Sequence, residues 1–480
     1  MEALQRLHNR GSISTGFDID NSCMFDWNGT NTANNSQSYM YDSTWTGTPT
    51  STTTGCFSTW FKNSLSDSTC SEGVASFVNN YSSGNDRSYI MGDWGGTGNF
   101  VFGQKVSGAW NFRVVSNNFH RDPSAWYHFF AVWDTSNSTE SERIRLYVNG
   151  ERITSLSAAV YPSQNQECYI VSKEDFSIGR AFSSIYGNFT HGYMAETHFV
   201  DGTAYAPTTF GEFDEDSGIW KPKQVSVSYG NKGFYFDYKD ASNLGNDVSG
   251  NNRDLTLSDI DSTHQATDTP TNNFCTLNPL IYDINSGDDE AYVLRNGATT
   301  ITSSKNAYAQ NYATIGLNIA KGGKWYFEWT ATSHANGSSS EGLCGLSFDT
   351  QWNSGLNSTG VYNAGYAFYA AGFGHGEGYS TNVVNGLLID LDNNKVKWYR
   401  NGTLHVTMPD DGGGSTMQTT GYAFPYIAPY GSGYTINVNF GGYTAQTISS
   451  GNTDPDGYGN FEYATQDGYA ICTKNLEEYG

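Results

Sequence analysis

Short stretches of alternating apolar and polar residues recur along the chain, separated by turns rich in Gly, Asn and Ser. In residues 143–150 (RIRLYVNG), Ile144, Leu146 and Val148 fall on one side of a strand, with polar or larger residues between them. Asn149-Gly150 is the preferred dipeptide of a tight hairpin turn, so a returning strand is expected from residue 151. The pattern also predicts strands at 55–62 (GCFSTWFK) and 125–134 (AWYHFFAVWD).

A second block of predicted strands begins near residue 291. Its clearest members are 324–330 (KWYFEWT), 343–348 (LCGLSF), 386–392 (GLLIDLD) and 395–402 (KVKWYRNG). We expect the last two to form a hairpin across Asn393-Asn394, with a further turn at Asn401-Gly402.

Composition agrees with a strand-rich fold. Only 15% of the residues are charged, and 33 Tyr, 27 Phe and 12 Trp supply the bulky apolar surface. Aromatic and turn-forming residues favour sheets, and few stretches show the 3.6-residue period of a helix. The predicted fold class is therefore all-β.

The length of 480 residues exceeds one ordinary core. We predict two β-sandwich domains of jelly-roll type in tandem. Residues 259–290 are polar and contain Pro270 and Pro279, which marks the boundary. The predicted segments are an N-terminal arm at 1–11, a first domain at 12–260, a linker at 261–290, a second domain at 291–448 and a Gly- and Tyr-rich C-terminal segment at 449–480. We expect this last segment to pack poorly by itself.

Net charge limits the partners. Acidic residues outnumber basic ones 48 to 25, giving −23, which argues against a nucleic-acid partner and an anionic membrane. The acidity alternatively serves only to keep an aromatic-rich surface soluble. No apolar run is long enough to span a bilayer, and the first ten residues lack the apolar region of a signal peptide, so neither membrane insertion nor export is expected.

Seven cysteines occur without CxxC or CxxH spacing, so we expect buried free thiols and no zinc site. An isolated disulfide, such as Cys56 with Cys70, stays open as an alternative.

The first block resembles the concanavalin A-like, laminin-G-type jelly roll. Five motifs carry the resemblance in the family's order: residues 57–62 (FSTWFK), 126–129 (WYHF), 145–150 (RLYVNG), 176–179 (FSIG) and 192–196 (GYMAE). Residues 233–257 look like the family's opening piece, although here they follow the closing strand. We therefore expect them to return to the first sandwich and extend a sheet.

The second block resembles the SPRY fold. The carrying residues are 323–328 (GKWYFE), 345–347 (GLS), 386–396 (GLLIDLDNNKV), 399–402 (YRNG) and 424–427 (FPYI). The two blocks together are similar to structural proteins of tailed marine bacteriophages. The resemblance implies a tail-fibre or capsid-surface component on the virion, with other virion proteins as partners and a homo-oligomeric state, for which the resemblance suggests a trimer. No coiled-coil or collagen-like repeat supports a particular number.

Catalytic motifs are missing from the sequence. It contains no E-x-D-x-E run of a glycosidase strand, no H-E-x-x-H and no G-x-S-x-G. Asp390 and Asp392 alternate on one strand, but their place at a hairpin favours turn capping. We predict that the chain is not an enzyme.

Two kinds of binding residue stand out. Asp214 and Asp216 lie in the densest acidic loop and are weak calcium candidates, because the D-x-D-x-D-G spacing is incomplete; no other cofactor is expected. Sugars stack on aromatic faces beside polar groups. The aromatic and polar loop residues that we predict as a recognition surface are Asp93, Trp94, Trp352, Tyr362, Phe373 and His375.

The sequence thus predicts a non-enzymatic virion surface or tail-fibre component that recognises a host-surface glycan. The first alternative is a purely structural decoration or joint protein that binds other virion proteins. The second is a secreted glycan-binding adhesin, which the missing signal peptide disfavours.

Overall fold

The computed structural model describes residues 17–26, 38–64, 75–83, 85–93, 98–117, 120, 122–180, 190–280, 292–304, 311–333, 343–348, 367–369, 383–408, 410, 419–429 and 431–480. The described chain is all-β, as predicted. It divides into two compact units, and the boundary between them lies between Thr271 and Asn272.

The described residues of the first unit form eighteen strands. They are β1 (Ser22–Phe25), β2 (Tyr39–Asp42), β3 (Thr54–Asn63), β4 (Ala75–Ser83), β5 (Asp86–Asp93), β6 (Val101–Val106), β7 (Ala109–Ser116), β8 (Tyr127–Asp134), β9 (Ile144–Val148), β10 (Glu151–Arg152), β11 (Leu156–Val160), β12 (Asp175–Ile178), β13 (Gly192–Asp201), β14 (Gly211–Phe213), β15 (Trp220–Pro222), β16 (Phe234–Phe236), β17 (Thr256–Ser258) and β18 (Gln265–Ala266). One short helix, α1 (Tyr169–Ser172), and 3-10 turns at Glu140–Glu142, Pro207–Thr209 and Ser262–His264 connect them.

Two antiparallel sheets of eight strands form the first unit. The first sheet has the order β10-β9-β8-β3-β13-β1-β18, with β16 also paired to β13. The second sheet has the order β11-β7-β6-β5-β4-β12-β2-β17, and β14 and β15 form a separate ribbon. Inward side chains of the two sheets pack on each other, with ring centroids 5.2 Å apart for Phe61 and Phe77 and 5.7 Å for Trp133 and Phe102. This sandwich core is mostly aromatic, as the composition indicates.

The predicted hairpin at Asn149-Gly150 is confirmed. Val148 pairs with Glu151, and both turn residues have positive φ, +49° for Asn149 and +77° for Gly150. Ile144, Leu146 and Val148 are buried, while the residues between them are half-buried.

The return of residues 233–257 to the first sandwich is also confirmed. Phe234–Phe236 pairs with β13 in the first sheet, and Thr256–Ser258 pairs with β2 in the second. Gln265–Ala266 then pairs with β1, so these residues also belong to the first unit, which ends at Thr271.

In the second unit, the described ranges form thirteen strands. They are β19 (Tyr292–Arg295), β20 (Thr300–Ser303), β21 (Asn311–Tyr312), β22 (Leu317–Asn318), β23 (Lys324–Ser333), β24 (Leu343–Phe348), β25 (Ala367–Tyr369), β26 (Asn385–Asp390), β27 (Lys395–Arg400), β28 (Thr403–Met408), β29 (Tyr422–Ala428), β30 (Thr435–Asn439) and β31 (Tyr469–Ala470). A 3-10 turn lies at Ile319–Lys321, and helix α2 (Thr473–Tyr479) ends the chain.

Its larger sheet has the order β19-β20-β30-β23-β26-β27-β28, with β31 parallel to β23. Its smaller sheet has the order β21-β29-β24-β25, with β22 also paired to β29. The predicted hairpin of β26 and β27 is confirmed: Asp390 pairs with Lys395, and the Asp390 carboxylate caps the turn by accepting from the backbone and side chain of Asn393.

The C-terminal segment at residues 449–480 packs against strand β23 of the second unit. Phe461, Ala470 and Cys472 are fully buried against Tyr326 of β23. These apolar residues are scattered among Gly and Asp turn residues, so the segment carries no periodic signal that would predict its burial.

Candidate functional site

The outer face of the second sheet, the face turned away from the first sheet, carries an aromatic and cationic surface. Tyr89 on β5 lies opposite Gly103 on β6, which lies opposite Arg113 on β7. Lys105 pairs with Arg87 on one side and with Trp110 on the other. We call Arg87, Tyr89, Lys105, Trp110 and Arg113 the Trp110 patch.

Gly103 makes room for the aromatic pair at the centre of the patch. A Cβ atom at Gly103 would lie 3.0 Å from the Trp110 ring and 3.3 Å from the Tyr89 ring. The two rings meet edge to face, with centroids 5.9 Å apart and an interplanar angle of 78°. The absence of a side chain at residue 103 therefore leaves room for both rings.

Two cations flank this indole. The Lys105 ammonium lies 4.7 Å, and the Arg113 guanidinium 5.0 Å, from the ring centroid of Trp110. Tyr89 is fully buried, and burial raises the pKa of its hydroxyl well above the ordinary value, so this hydroxyl is neutral. Arg87, Lys105, Trp110 and Arg113 are half-buried and form the accessible rim of the patch.

A buried side-chain amide lies in the same row of cross-strand neighbours as Tyr89, Gly103 and Arg113. Asn79 on β4 lies opposite Tyr89 on one side and Ser177 of β12 on the other, and it is fully buried. Neither its carboxamide oxygen nor its nitrogen has a hydrogen-bond partner in the described part of the chain. This amide lies about 5 Å, one strand spacing, from Tyr89, and it is buried beneath the accessible rim of the patch.

The outer face of the first sheet holds a Ser–His pair that is arranged for structure. Ser58 Oγ lies 2.8 Å from His128 Nε2, and the Trp220 indole N–H donates to His128 Nδ1 at 3.1 Å. Burial lowers the pKa of His128 to about 3, so the ring is neutral. Because Nδ1 accepts, the proton resides on Nε2 and is donated to Ser58. His128 is therefore in the wrong tautomer to act as a base toward Ser58.

A second polar cluster lies on the same sheet face. Tyr235 donates to Glu196 at 2.7 Å, and His198 Nδ1 lies 2.8 Å from the Tyr229 hydroxyl. Glu196 has a φ of +48° at a register shift in β13, and the His198 ring is stacked on Tyr235 with centroids 4.2 Å apart. Each of these groups has a partner, so the cluster holds residues 229–235 against β13.

In the second unit, Glu328 is a buried carboxyl group with many donors. Glu328 of β23 accepts from the backbone N–H groups of Glu462 and Tyr463 at 3.0 and 2.9 Å, and from the side chains of Tyr326, Asn439 and Gln446. Burial raises the pKa of Glu328, and the donors oppose that shift. This group fixes the C-terminal segment to the sheet.

The sequence-predicted calcium residues form a turn. Asp214 Oδ1 accepts from the N–H groups of Asp216 and Ser217, and Oδ2 lies 3.0 Å from the Lys221 ammonium. These donors lower the pKa of Asp214, and the ammonium takes the position that a cation would need. No group of three His, Cys, Asp or Glu side chains suited to a metal occurs among the described residues.

Most residues of the predicted recognition surface lie outside the described part of the chain. Asp93 is the last residue of β5. Trp94, Trp352, Tyr362, Phe373 and His375 fall outside the described residues. The sequence patterns did not predict the Trp110 patch. The run 105–110 (KVSGAW) does indicate a hairpin, because it places a cation and an indole on either side of a Ser-Gly turn.

The cysteines agree with the expectation of free thiols. Cys23, Cys56, Cys168, Cys275, Cys344 and Cys472 are all buried and free, so the alternative pairing of Cys56 does not occur. Within the described ranges, no helix has the length and apolar character needed to cross a bilayer.

Neither a protein-family model nor a curated protein sequence matches the chain. Solved structures that resemble parts of it are SPRY and jelly-roll domains. The SPRY domain of human HERC1 is 13% identical, with a TM-score of 0.23, and the match covers 31% of this chain and 92% of that one. A heptameric SAP-like pentraxin from Limulus polyphemus is 14% identical, with a TM-score of 0.28 and coverage of 40% and 80%. The CBM40 of the Ruminococcus gnavus IT-sialidase is 12% identical, with a TM-score of 0.24 and coverage of 33% and 81%. Likeness at this level says nothing about ligand or role.

Proposed function

We propose that the chain is a non-enzymatic component of a virion surface or tail fibre and that it recognises host-surface glycans through the Trp110 patch. The observation that carries the binding part is the indole of Trp110, which lies half-buried over Gly103 with polar and cationic groups around it. Sugar rings pack on such aromatic platforms and hydrogen-bond to neighbouring side chains.

We propose binding rather than catalysis because the side chains most typical of an active site already have structural hydrogen-bond partners. His128 donates to Ser58, Glu328 accepts from five donors, and Asp390 caps a turn. A general base needs an open acceptor near a substrate, which none of these three groups offers.

The virion location rests on the sequence resemblance to tailed bacteriophage proteins. In this proposal the chain assembles in the host cytoplasm, joins other virion proteins as a homo-oligomer and reaches the outside as part of the particle. Immunogold labelling of intact particles with an antibody to this chain tests the location. Label on the tail tips or capsid surface supports it, and particles without label overturn it.

A purely structural joint or decoration protein is the second candidate. In the described part of the chain, β11 and β28 are the last strands of their sheets, and they expose Val160 (53%) and Leu404 (51%). Unpaired strand edges with apolar side chains can accept a strand from another protein.

Glycan-array binding by the purified full-length chain separates the two candidates. We expect binding that Trp110→Ala reduces at least tenfold, about 1.4 kcal/mol. Phe213→Ala is the matched control, because Phe213 is an exposed aromatic residue (43%) of the same unit outside the patch. Absence of binding to every glycan favours the structural role.

A further inference from the structure

A lysine and an aspartate form a buried pair on the first sheet of the first unit. The Lys62 ammonium lies 2.7 Å from Oδ2 of Asp268, and each side chain is only 1% exposed. Phe57 and Phe61 of the same strand pack on the second sheet, so Lys62 extends from the outer face of the first sheet. Two opposite charges thus meet where almost no water reaches them.

Aromatic side chains shield the pair from water. Tyr193 lies directly opposite Lys62 on β13, with its ring centroid 5.9 Å from the Lys62 ammonium. The Trp126 ring lies 6.3 Å from the Tyr193 ring, and its indole N–H donates to Oδ1 of Asp268 at 2.9 Å. Both aromatic residues are buried. The pair is therefore enclosed, with a hydrogen-bond donor already aimed at its carboxylate.

The backbone around Asp268 is fixed on both sides. Gln265–Ala266 pairs with β1, and the Ser22 hydroxyl donates to the Asp268 carbonyl at 2.6 Å. Beyond it, the Thr271 hydroxyl oxygen accepts from the Ile19 N–H at 3.0 Å. The lysine extends from β3, a central strand of the sheet. The ammonium and the carboxylate are thus held together at a high effective concentration, which favours a reaction between them.

We propose that Lys62 and Asp268 condense to an intramolecular amide that cross-links β3 to the segment after β18. One ammonium proton moves to the carboxylate, and the lone pair of the freed amine attacks the carboxyl carbon. The N–C bond forms, one C–O bond breaks, and that oxygen leaves as water with two protons from the nitrogen. The amide keeps the third proton, so atoms and charge balance without an oxidant or a cofactor.

Two features of the site favour this step. Negative charge that develops on Oδ1 during the attack is stabilised by the Trp126 indole N–H. The product is a neutral amide, so the reaction removes two charges from a buried site in which their loss of hydration is costly. The water that forms leaves for the solvent, where it is fully hydrogen-bonded.

Greater exposure distinguishes a second lysine–aspartate pair of the first unit. The Lys221 ammonium lies 3.0 Å from Asp214, but the two side chains are 18% and 10% exposed. Water stabilises the charged forms of such a pair and opposes condensation. We expect Lys221 and Asp214 to remain an ion pair, which makes them an internal control.

Mass spectrometry of the purified full-length chain, with folding verified by circular dichroism, tests the cross-link. The intact mass should be lower than the sequence mass by one water molecule. Trypsin does not cleave after an acylated lysine, so digestion should release residues 11–87 joined to residues 254–295 as one branched peptide. The tryptic peptide 181–223, which contains both Lys221 and Asp214, should keep its full mass.

Lys62→Arg keeps a positive charge beside Asp268 but cannot condense, because the guanidinium stays protonated. This variant should show the full sequence mass and no branched peptide, whereas Lys221→Arg, the matched control, should resemble the wild type. The cross-link joins positions 206 residues apart. Denatured wild-type chain should therefore be more compact, and migrate faster on a denaturing gel, than Lys62→Arg.

The wild-type peptide map decides the proposal, so the test does not depend on the folding of a variant. A mass equal to that of the sequence, with cleavage after Lys62, overturns it. Succinimide formation at an Asp-Gly bond, such as Asp201-Gly202, also releases one water molecule. A lighter chain without the branched peptide therefore overturns the proposal as well. None of these results depends on glycan binding.

Discussion

His128 shows how burial decides the chemistry of a single residue. Its ring is stacked on Trp220 with centroids 5.7 Å apart and lies tilted against Trp60 at 5.0 Å, and it has hydrogen-bond partners at both nitrogens. Protonation would remove the acceptor that the Trp220 indole uses. The residue therefore works as a neutral connector between two elements of the first unit.

A pH dependence of stability follows from this arrangement. The pKa of His128 falls from 6.5 to about 3 on folding, so below about pH 6.5 the unfolded chain binds a proton that the folded chain does not. This group makes the free energy of unfolding fall with decreasing pH, by up to about 1.4 kcal/mol per pH unit between those values. Urea titrations from pH 7 to pH 4 should show a flatter dependence in His128→Gln. An unchanged slope in the variant would contradict the assignment.

Glu328 supports a second prediction at this scale. Glu328→Gln places an amide N–H₂ group against donors that the carboxylate oxygens now satisfy, including the N–H groups of Glu462 and Tyr463. We expect a loss of roughly 2 kcal/mol in the free energy of unfolding and faster proteolysis within the C-terminal segment. Glu478→Gln, at an exposed position of α2, is the matched control and should behave like the wild type.

At the scale of elements, the hairpin between β9 and β10 depends on a glycine for two reasons. Gly150 has a φ of +77°, and a Cβ atom there would lie 2.3 Å from the Trp220 ring. The turn and the covering ribbon of β14 and β15 therefore meet at this residue.

Gly150→Ala should lower the free energy of unfolding by about 3 kcal/mol, from roughly 1 kcal/mol of backbone strain and the remainder from displaced packing. Gly250→Ala separates the two causes, because Gly250 has a φ of +92° and nothing within 4 Å of the added Cβ. That variant should lose only about 1 kcal/mol. Equal losses, measured by denaturant unfolding, would show that Trp220 moves aside without cost.

Local patterns predicted these elements because alternation and turn dipeptides act over a few residues. The hairpins at Asn149-Gly150 and Asn393-Asn394 and the strand at Phe234–Phe236 all follow from such signals. The Trp110 patch could not be predicted in the same way, because Tyr89, Gly103 and Arg113 lie on three strands and meet only through register. The burial of Phe461 likewise depends on a distant partner, Tyr326.

Over the whole molecule, the thiols give a direct measure of packing. Six cysteines are buried and free, and burial raises the pKa of Cys56 and of Cys472 to about 12, so little reactive thiolate exists at pH 8. Cys70 lies outside the described residues.

Titration of the native chain with Ellman's reagent at pH 8 should therefore detect no more than one fast-reacting thiol, and denaturant should expose all seven. A reducing agent should leave the melting temperature unchanged, because the six described cysteines form no disulfide. Two or more rapidly reacting thiols in the native chain would show that one of the buried positions opens readily.

The buried ion pair of Lys62 and Asp268 joins residues that are far apart in sequence. The two charges are 2.7 Å apart and each side chain is only 1% exposed, with the Trp126 indole donating to the other carboxylate oxygen. A lysine held there without its partner is an uncompensated charge in an apolar setting. During synthesis, β3 leaves the ribosome some 200 residues before Asp268 does, so the first unit can reach its final state only after almost all of it has been translated. Until then, Lys62 must remain hydrated, and the nascent sheet stays open at the edge of β1 to which β18 will add.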